Sequence, residues 1–291
     1  MGIRCNSGRG QFVASNQTVV RTVFFISDHS GVTAETMGHS LLSQFEGISF
    51  TAVTLPFIST MEKAAEALQR INATALADGA PPIIFSTLVR DAERELVKGA
   101  NGLFLDFFDA FLAPLESELR QKSSHALGRA HGMSDMAGYM TRIDATNFAL
   151  ANDDGGHNRE YERADVVLLG VSRSGKTPTC LYLALQYGIY AANYPLMEED
   201  LEGGELPAAV RPHARKLFGL TIESSRLQQI REVRRPESRY ASAQQVQYEL
   251  RAAERMYARF GVPHIDTTHC SVEEISSRIL QLTGIPRRLR P

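Results

Sequence analysis

The segment ADVVLLGVSRSGKT, residues 164–177, gives the clearest indication of the fold, because an apolar run ends there in a loop flanked by two glycines. Residues 166–169 are apolar without alternation, which predicts a strand that is buried on both faces of a parallel sheet. Residues 177–187 are apolar at helical spacing and predict a helix directly after the loop. Pro178 agrees with that helix, because the first helical turn tolerates a missing N–H. A strand, a loop and a helix in this order predict an α/β fold.

The loop itself, residues 170–177, has the spacing G-x-x-x-x-G-K-[ST], which is typical of loops that bind phosphate. Its glycines allow backbone N–H groups to turn inward around an anion without a clash from Cβ atoms. The Lys176 ammonium can reach terminal phosphates, and the Thr177 hydroxyl can bind Mg²⁺. The following helix would direct its positive end toward the phosphates. The predicted nucleotide-binding residues are Gly170, Val171, Ser172, Arg173, Ser174, Gly175, Lys176 and Thr177.

A tight turn between a strand and a helix, with an exposed lysine, is the alternative interpretation of this loop. Arg173 at the loop tip adds a second cation, which suits a ligand whose terminal phosphate stays in the site. The spacing alone predicts phosphate binding and leaves open what is done with the phosphate.

The composition is that of an ordinary globular protein, with 43% hydrophobic and 22% charged residues. Lys plus Arg (31) nearly balances Asp plus Glu (33), so net charge gives no reason to expect binding to nucleic acid or to a membrane. Basic residues cluster at Arg231, Arg234 and Arg235, a pattern that more often marks a solvated face than a binding patch. The three cysteines have no C-x-x-C spacing, which fits a reducing cytoplasm. We expect a cytoplasmic protein with residues 1–18 as a flexible leader.

Apolar runs alternate with helical patterns along the rest of the chain, which is typical of βαβ architecture. We predict an N-terminal α/β domain with a parallel sheet over residues 19–155, and a C-terminal phosphate-loop α/β domain over residues 156–291. A helix near 243–260 could pair two chains, which leaves a homodimer open. The strands predicted for the first domain are 20–26, 50–55, 82–86 and 102–108, and its helices are 33–45, 60–77, 91–98, 114–121 and 136–152.

A second candidate for chemistry is the segment SDHSGVTAE, residues 27–35, where a strand ends and a helix begins. Ligands of open α/β sheets bind outside the carboxyl ends of the strands, so Asp28 and His29 could contact a substrate or transfer a proton. Helix capping is an equally good interpretation, with Ser30 or Thr33 as the N-cap and Asp28 near a positive helix end.

Several carboxylates could bind Mg²⁺ beside the loop. Asp153 and Asp154 form an adjacent pair, although such a D-D-G segment is more often a turn. Asp266 and Asp106 each follow an apolar run and could lie at a strand end. The sequence offers no criterion for choosing among these carboxylates.

Seven segments, taken in order, resemble one protein family, the bifunctional regulatory proteins of phosphoenolpyruvate synthase and of pyruvate, phosphate dikinase. The resemblance covers nearly the whole chain from about residue 20 onward. The segments are SDHSGVTAE at 27–35, GRAH at 128–131, RIDATNFALANDDG at 142–155, ADVVLLGVSRSGKTPTCLYLA at 164–184, ANYPL at 192–196, LTIESSRLQQIR at 220–231 and GVPHIDTTHCSVEEISSRIL at 261–280.

The resemblance implies two opposed activities. As a kinase, such a protein uses ADP to phosphorylate a threonine of its target enzyme and inactivates that enzyme. As a phosphorylase, it uses inorganic phosphate to remove the phosphoryl group and releases pyrophosphate. Phosphoenolpyruvate synthase is the expected target, with pyruvate, phosphate dikinase as the alternative. A phosphate-loop kinase of small molecules and a non-enzymatic nucleotide sensor are the rival classes.

One anion-binding loop could serve both implied directions, because it can hold the β-phosphate of ADP or the attacking phosphate. Our hypothesis assigns charge neutralisation to Lys176 and to Mg²⁺ on Thr177, with help from Arg173. Asp28 and His29 complete the candidate catalytic residues, Asp28 by orienting or deprotonating the target threonine.

Overall fold

The computed structural model describes residues 20–123, 136–153 and 160–289 and forms two compact units, Met1–Gly132 and Met133–Pro291. The predicted leader, His131 and Asp154 lie outside the described residues. Unit 1 contains β1 (Val20–Ser27), α1 (Val32–Leu42), β2 (Ser49–Leu55), α2 (Met61–Asp78), β3 (Ile83–Thr87), α3 (Asp91–Lys98), β4 (Leu103–Asp106) and α4 (Phe107–Leu119).

Unit 2 follows the same alternation of strands and helices. Its elements are α5 (Met136–Ala151), β5 (Val166–Gly170), α6 (Lys176–Tyr187), β6 (Ala191–Pro195), α7 (Glu198–Gly203), β7 (Leu217–Thr221), α8 (Ser224–Arg234), α9 (Ala243–Phe260), β8 (His264–Asp266) and α10 (Val272–Thr283). Two short 3-10 helices, Arg211–Lys216 and Arg239–Ala241, precede β7 and α9. Within the described part of the chain, no helix is long and apolar enough to cross a membrane.

Each unit contains one four-stranded sheet in which every pairing is parallel, so the predicted α/β class is confirmed. The strand orders are β2-β1-β3-β4 in unit 1 and β6-β5-β7-β8 in unit 2. In both sheets the second strand along the chain lies on one side of the first strand, and the third strand lies on the other side of the first strand. The carboxyl ends of β1 and β3, and of β5 and β7, therefore border the crevice where open α/β sheets bind ligands.

Strand β5 is the centre of the core of unit 2, and all five of its residues are buried. Val167 and Leu169 belong to one hydrophobic cluster, whereas Val166 and Leu168 belong to a second cluster. Both faces of the strand are thus covered by apolar side chains, which explains the unbroken apolar run in the sequence.

The helices that follow the first strand of each sheet begin in the same way. Gly31 precedes α1 with φ 83°, and Gly175 precedes α6 with φ 93°, both in the left-handed region. Among the described residues, neither helix receives a hydrogen bond from a capping side chain at this end. Both helix N-termini therefore keep backbone N–H groups that are not used by a cap.

Two predicted elements differ from the structure. Strand β4 ends at Asp106 and α4 begins at once, although the sequence predicted a strand to residue 108 and a helix from 114. The Asp106 carboxylate accepts hydrogen bonds from the backbone N–H groups of Phe108 and Asp109, which starts the helix early. Helix α8 was not predicted, because only Leu227 and Arg231 of its eleven residues are buried and its apolar periodicity is weak.

The division between the units also differs from the predicted boundary between residues 155 and 156. The structure divides after Gly132, which assigns α5 to unit 2. The physical reason is packing, since Ala145 and Ala149 of α5 are buried in the same cluster as Val166 and Leu168 of β5.

Gly38 in α1 allows that helix to pack against the aromatic side chains of unit 1. A Cβ at Gly38 would lie 2.8 Å from Cδ2 of Phe85 and closer still to Cε1 of Phe25, and these two rings are stacked on each other. We therefore expect Gly38→Ala to lower the free energy of unfolding by about 1–3 kcal/mol, as overpacked cores do. Urea denaturation followed by circular dichroism measures this change.

Gly203→Ala is the matched control, because a Cβ at this helical glycine has no described heavy atom within 4 Å. We expect this substitution to be neutral or slightly stabilising. Equal losses for the two variants would contradict the steric explanation at Gly38.

Candidate functional site

The loop 170–177 depends on both of its glycines for its shape. A Cβ at Gly170 would lie 2.5 Å from Ser174 Oγ and 3.0 Å from the Leu220 carbonyl oxygen on the neighbouring strand β7. Gly175 has φ 93°, which is unfavourable for any other residue. Gly170 is therefore required because Ser174 and Leu220 approach its Cα too closely for a side chain, and Gly175 is required because of its left-handed backbone conformation.

Lys176 is buried within this loop, with only 3% of its surface exposed. Its Nζ donates a hydrogen bond to the carbonyl oxygen of Val171, 3.0 Å away. The ammonium thus lies over its own loop, and the alternative of an exposed lysine in a plain turn is wrong. A buried cation beside uncapped helical N–H groups favours an anionic ligand at this position.

The remaining loop residues have distinct surroundings. The Ser172 hydroxyl lies 2.9 Å from the hydroxyl of Tyr240. Ser174 is buried, and its Oγ has no hydrogen-bond partner among the described residues. Arg173 is exposed at the loop tip and adopts φ 74°, a left-handed conformation that is rare for residues other than glycine.

Thr177 contacts two polar side chains from other elements. Its Oγ1 donates to Asp153 Oδ1 at 2.7 Å, so the structure brings one member of the Asp153–Asp154 pair to the loop. Asn193 of β6 also donates to Asp153 Oδ1, and its Nδ2 lies 3.3 Å from Thr177 Oγ1. The other amide atom, Asn193 Oδ1, is buried without a partner among the described residues. Two oxygen-bearing side chains, Asp153 and Asn193, thus converge beside the hydroxyl that the sequence predicts as a metal ligand.

Asn193 is a site residue that sequence reasoning missed. The available signal was a polar amide within β6, a strand whose first four residues are all buried. A buried amide requires hydrogen-bond partners, so its presence in such a strand indicates a polar cluster nearby.

Two other candidate carboxylates accept hydrogen bonds from backbone N–H groups two or three residues further along the chain. Asp266 is the last residue of β8, which lies two strands away from β5, and its Oδ1 accepts a hydrogen bond from the Thr268 N–H at 2.7 Å. Asp106 caps α4 in unit 1, and burial raises the pKa of its carboxyl group. Among the described residues of unit 2, the Asp266 carboxylate is not hydrogen-bonded to the loop, so its interpretation as the metal ligand there is not supported. Asp106 as a metal ligand stays a prediction.

No group of three or more His, Cys, Asp or Glu side chains that could hold a metal ion occurs in the described ranges. A metal at the loop would therefore be bound by few protein atoms, through the Thr177 hydroxyl and Asp153. Such a ligand set suits Mg²⁺, which keeps most of its water ligands and prefers oxygen.

Asp28 and His29 lie at the carboxyl end of β1 in unit 1. The Asp28 carboxylate is buried, accepts a hydrogen bond from the Val89 N–H at 3.1 Å and lies 3.1 Å from His29 Nδ1. The His29 side chain is 51% exposed. Asp28 thus connects the ends of β1 and β3 and orients the imidazole through Nδ1, whereas Nε2 has no hydrogen-bond partner among the described residues.

The N-cap of α1 is Gly31, so the prediction of Ser30 or Thr33 as the N-cap is wrong. The other part of the capping interpretation, Asp28 near the positive end of the helix, stays a prediction, as does the catalytic role of Asp28.

Comparison with known proteins gives consistent matches over almost the whole chain. The sequence model of the family described as kinase/pyrophosphorylase matches residues 23–280. A protein of Alcanivorax borkumensis is 53% identical over 270 residues, which cover 93% of this chain and 99% of the relative. A protein of Marinobacter nauticus is 54% identical over 267 residues, 92% and 98% of the two chains. Both relatives carry the name "Putative phosphoenolpyruvate synthase regulatory protein". The chain belongs to the kinase/pyrophosphorylase family.

Proposed function

We propose that this protein is a bifunctional serine/threonine kinase and phosphorylase that regulates phosphoenolpyruvate synthase. The kinase activity inactivates the synthase by ADP-dependent phosphorylation of a threonine, and the phosphorylase activity reverses this with inorganic phosphate. The observation that carries the proposal is the buried Lys176 ammonium inside a glycine-dependent loop, in a chain of the kinase/pyrophosphorylase family. The name printed for the relatives favours the synthase over pyruvate, phosphate dikinase, which remains the alternative target.

Both reactions transfer one phosphoryl group, and their atoms balance without a further reactant. In the kinase direction, the threonine hydroxyl attacks the β-phosphorus of ADP, the β-phosphoryl group moves to threonine, and AMP leaves. In the phosphorylase direction, an oxygen of inorganic phosphate attacks the phosphorus of phosphothreonine, and pyrophosphate forms as the threonine oxygen leaves. Each reaction places at least two phosphoryl groups side by side.

Charge neutralisation and positioning are the main tasks of an enzyme in phosphoryl transfer. The loop N–H groups and the uncapped N-terminus of α6 would bind the phosphate oxygens, and Lys176 would exchange its hydrogen bond with Val171 for one with the ligand. Arg173 is exposed at the loop tip, where a second cation could contact the transferred group. The same set of donors serves either direction, because both ligands are anions of the same kind.

The protein residues around Thr177 fit Mg²⁺, since Asn193 Oδ1 is buried and unpartnered among the described residues and Asp153 and Thr177 supply oxygen ligands. Bound there, Mg²⁺ would supply positive charge to the phosphates. The role of Asn193 would be to hold Asp153 and Thr177 in place.

The threonine proton must be accepted by a base when phosphorylation occurs, and we assign this task to Asp28 and His29. The buried carboxylate would orient the imidazole, and the half-exposed imidazole would accept the proton.

Lys176→Ala should abolish the kinase and the phosphorylase activity together. Loss of a charge-assisted hydrogen bond costs about 1.5–3 kcal/mol in the ground state, and more where charge develops in the transition state. The measurement follows label from β-labelled ADP to the synthase threonine, and then from phosphothreonine to pyrophosphate after phosphate is added. Lys216→Ala is the control, because this lysine of unit 2 donates to the Glu162 carbonyl outside the loop. Survival of either activity near the wild-type rate would refute a shared anion site.

Asp28→Asn should slow threonine phosphorylation much more than it weakens ADP binding. Asparagine keeps an oxygen that can accept the Val89 N–H but removes the charge that stabilises a protonated imidazole. Initial rates give the first quantity and calorimetric titration with ADP gives the second, with Asp266→Asn as a matched control. Equal effects on the phosphorylation rate and on ADP binding would show that Asp28 has a structural role and no catalytic one.

Asp153→Ala and Thr177→Val should each raise the Mg²⁺ concentration needed for tight ADP binding, whereas Thr177→Ser should retain the wild-type requirement. The reason is that serine keeps the hydroxyl that contacts Asp153 and valine does not. Titration of ADP at several Mg²⁺ concentrations measures this directly. An unchanged Mg²⁺ dependence in both variants would exclude a metal at this position.

A further inference from the structure

Arg231 of α8 is a buried cation directly behind the tip of the loop. The sequence predicts it on a solvated basic face, but the structure buries it completely, whereas Arg234 and Arg235 are exposed. Its Nη2 donates to the Ser172 carbonyl oxygen at 3.1 Å, and its Nη1 donates to the Tyr240 carbonyl oxygen at 3.0 Å.

The buried charge is balanced within the same cluster. Arg231 Nη2 lies 2.6 Å from Glu249 Oε2, and the other oxygen of Glu249 accepts from Gln245 at 3.0 Å. The guanidinium also lies over the ring of Tyr240, 4.2 Å from the ring centroid. We call Arg231, Tyr240 and Glu249, together with Ser172, the Arg231 cluster. A buried ion pair of this kind adds little net stability compared with apolar residues of similar size, so stability alone does not explain it.

The contact with Ser172 has a direct consequence for the next residue. The peptide bond between Ser172 and Arg173 is trans, so its C=O and N–H point in opposite directions. When Arg231 holds the Ser172 carbonyl, the Arg173 N–H must face away from the Arg231 cluster. The Ser172 hydroxyl, 2.9 Å from the Tyr240 hydroxyl, holds the same residue by its side chain.

The backbone of Arg173 is unfavourable without such support. Its φ of 74° belongs to the left-handed region, which costs a residue with a Cβ of order 1–3 kcal/mol. Conformations of this kind persist where the surrounding contacts fix them, and they occur often at ligand-binding sites. The Arg231 cluster supplies such contacts on the peptide unit that precedes Arg173.

We propose that Arg231 is a positioning residue for phosphate binding, which holds the peptide unit 172–173 so that the Arg173 N–H faces the anion. Tyr240 and Glu249 fix the guanidinium in turn. This inference rests on the proposed function of the loop as the site of the ADP diphosphate. Arg231 itself would not contact the ligand, because its side chain is completely buried and each of its three nitrogens donates to a protein oxygen.

The experiment is a double-mutant cycle between Arg231→Lys and Arg173→Gly, with ADP and inorganic pyrophosphate as titrants. A lysine cannot reproduce the planar fork that holds the Ser172 and Tyr240 carbonyls at once. We expect Arg231→Lys to weaken binding about tenfold in the wild-type background, equivalent to about 1.4 kcal/mol. In the Arg173→Gly background the same change should cost about twofold or less, because glycine adopts a positive φ without support.

A merely structural arginine would lower affinity by the same factor in both backgrounds, since independent effects add. Equal factors would therefore overturn the inference. Arg259→Lys is the matched control, because this exposed arginine pairs with Glu205 away from the loop, and it should leave both affinities unchanged.

If Arg231→Lys does not fold, Tyr240→Phe replaces it, because this variant removes only the hydroxyl that contacts Ser172. Its effect should also shrink in the glycine background, and equal factors would again overturn the inference.

The two hypotheses fail in different ways. The positioning role alone would be overturned by three results together. Wild-type protein binds ADP, the Lys176→Ala variant does not bind ADP, and the double-mutant cycle shows no coupling between positions 231 and 173. Wild-type protein that binds pyrophosphate but not ADP would overturn the proposed function, and the pyrophosphate cycle would then decide the role of Arg231. Wild-type protein that binds neither anion would overturn both.

Discussion

The pairing of β5 with β6 on one side and β7 on the other is the constraint on which unit 2 depends. It makes β5 a central strand, whose two faces are covered by separate apolar clusters, and it brings the Leu220 carbonyl so close to Gly170 that a side chain would not fit. The chain must therefore leave the strand through a glycine and turn sharply over the carboxyl edge of the sheet. Loop shape, the start of α6 and the burial of Lys176 all follow from this arrangement.

The polar groups buried around the loop share one physical requirement, since each needs a partner when it is removed from water. The Lys176 ammonium donates a hydrogen bond to the Val171 carbonyl, and the Arg231 guanidinium donates one to the Ser172 carbonyl. The Thr177 hydroxyl donates to the Asp153 carboxylate. These contacts hold the loop from several sides before any ligand binds. If the loop binds the anion that we propose, a site that is already formed would lose less conformational entropy on binding than a flexible one.

The two units have the same strand order but different polar side chains after the first strand of each sheet. Each sheet begins with a central strand, continues through a polar loop and enters a helix after a left-handed glycine. The loop after β1 presents a carboxylate and an imidazole, whereas the loop after β5 contains a buried lysine.

Local sequence alone was sufficient for the α/β class, for most strands and helices and for the loop 170–177, because apolar periodicity and glycine spacing report backbone requirements that act over a few residues. It was insufficient to identify Asn193 and Arg231 as neighbours of the loop, or to predict that Asp153 rather than Asp266 contacts Thr177. Those residues lie far from the loop in the chain, and only parallel strand pairing and helix packing bring them to it. Tertiary structure also decided that Arg231 is buried, because the contacts that compensate its charge come from Glu249 and Tyr240, which no local pattern connects to it.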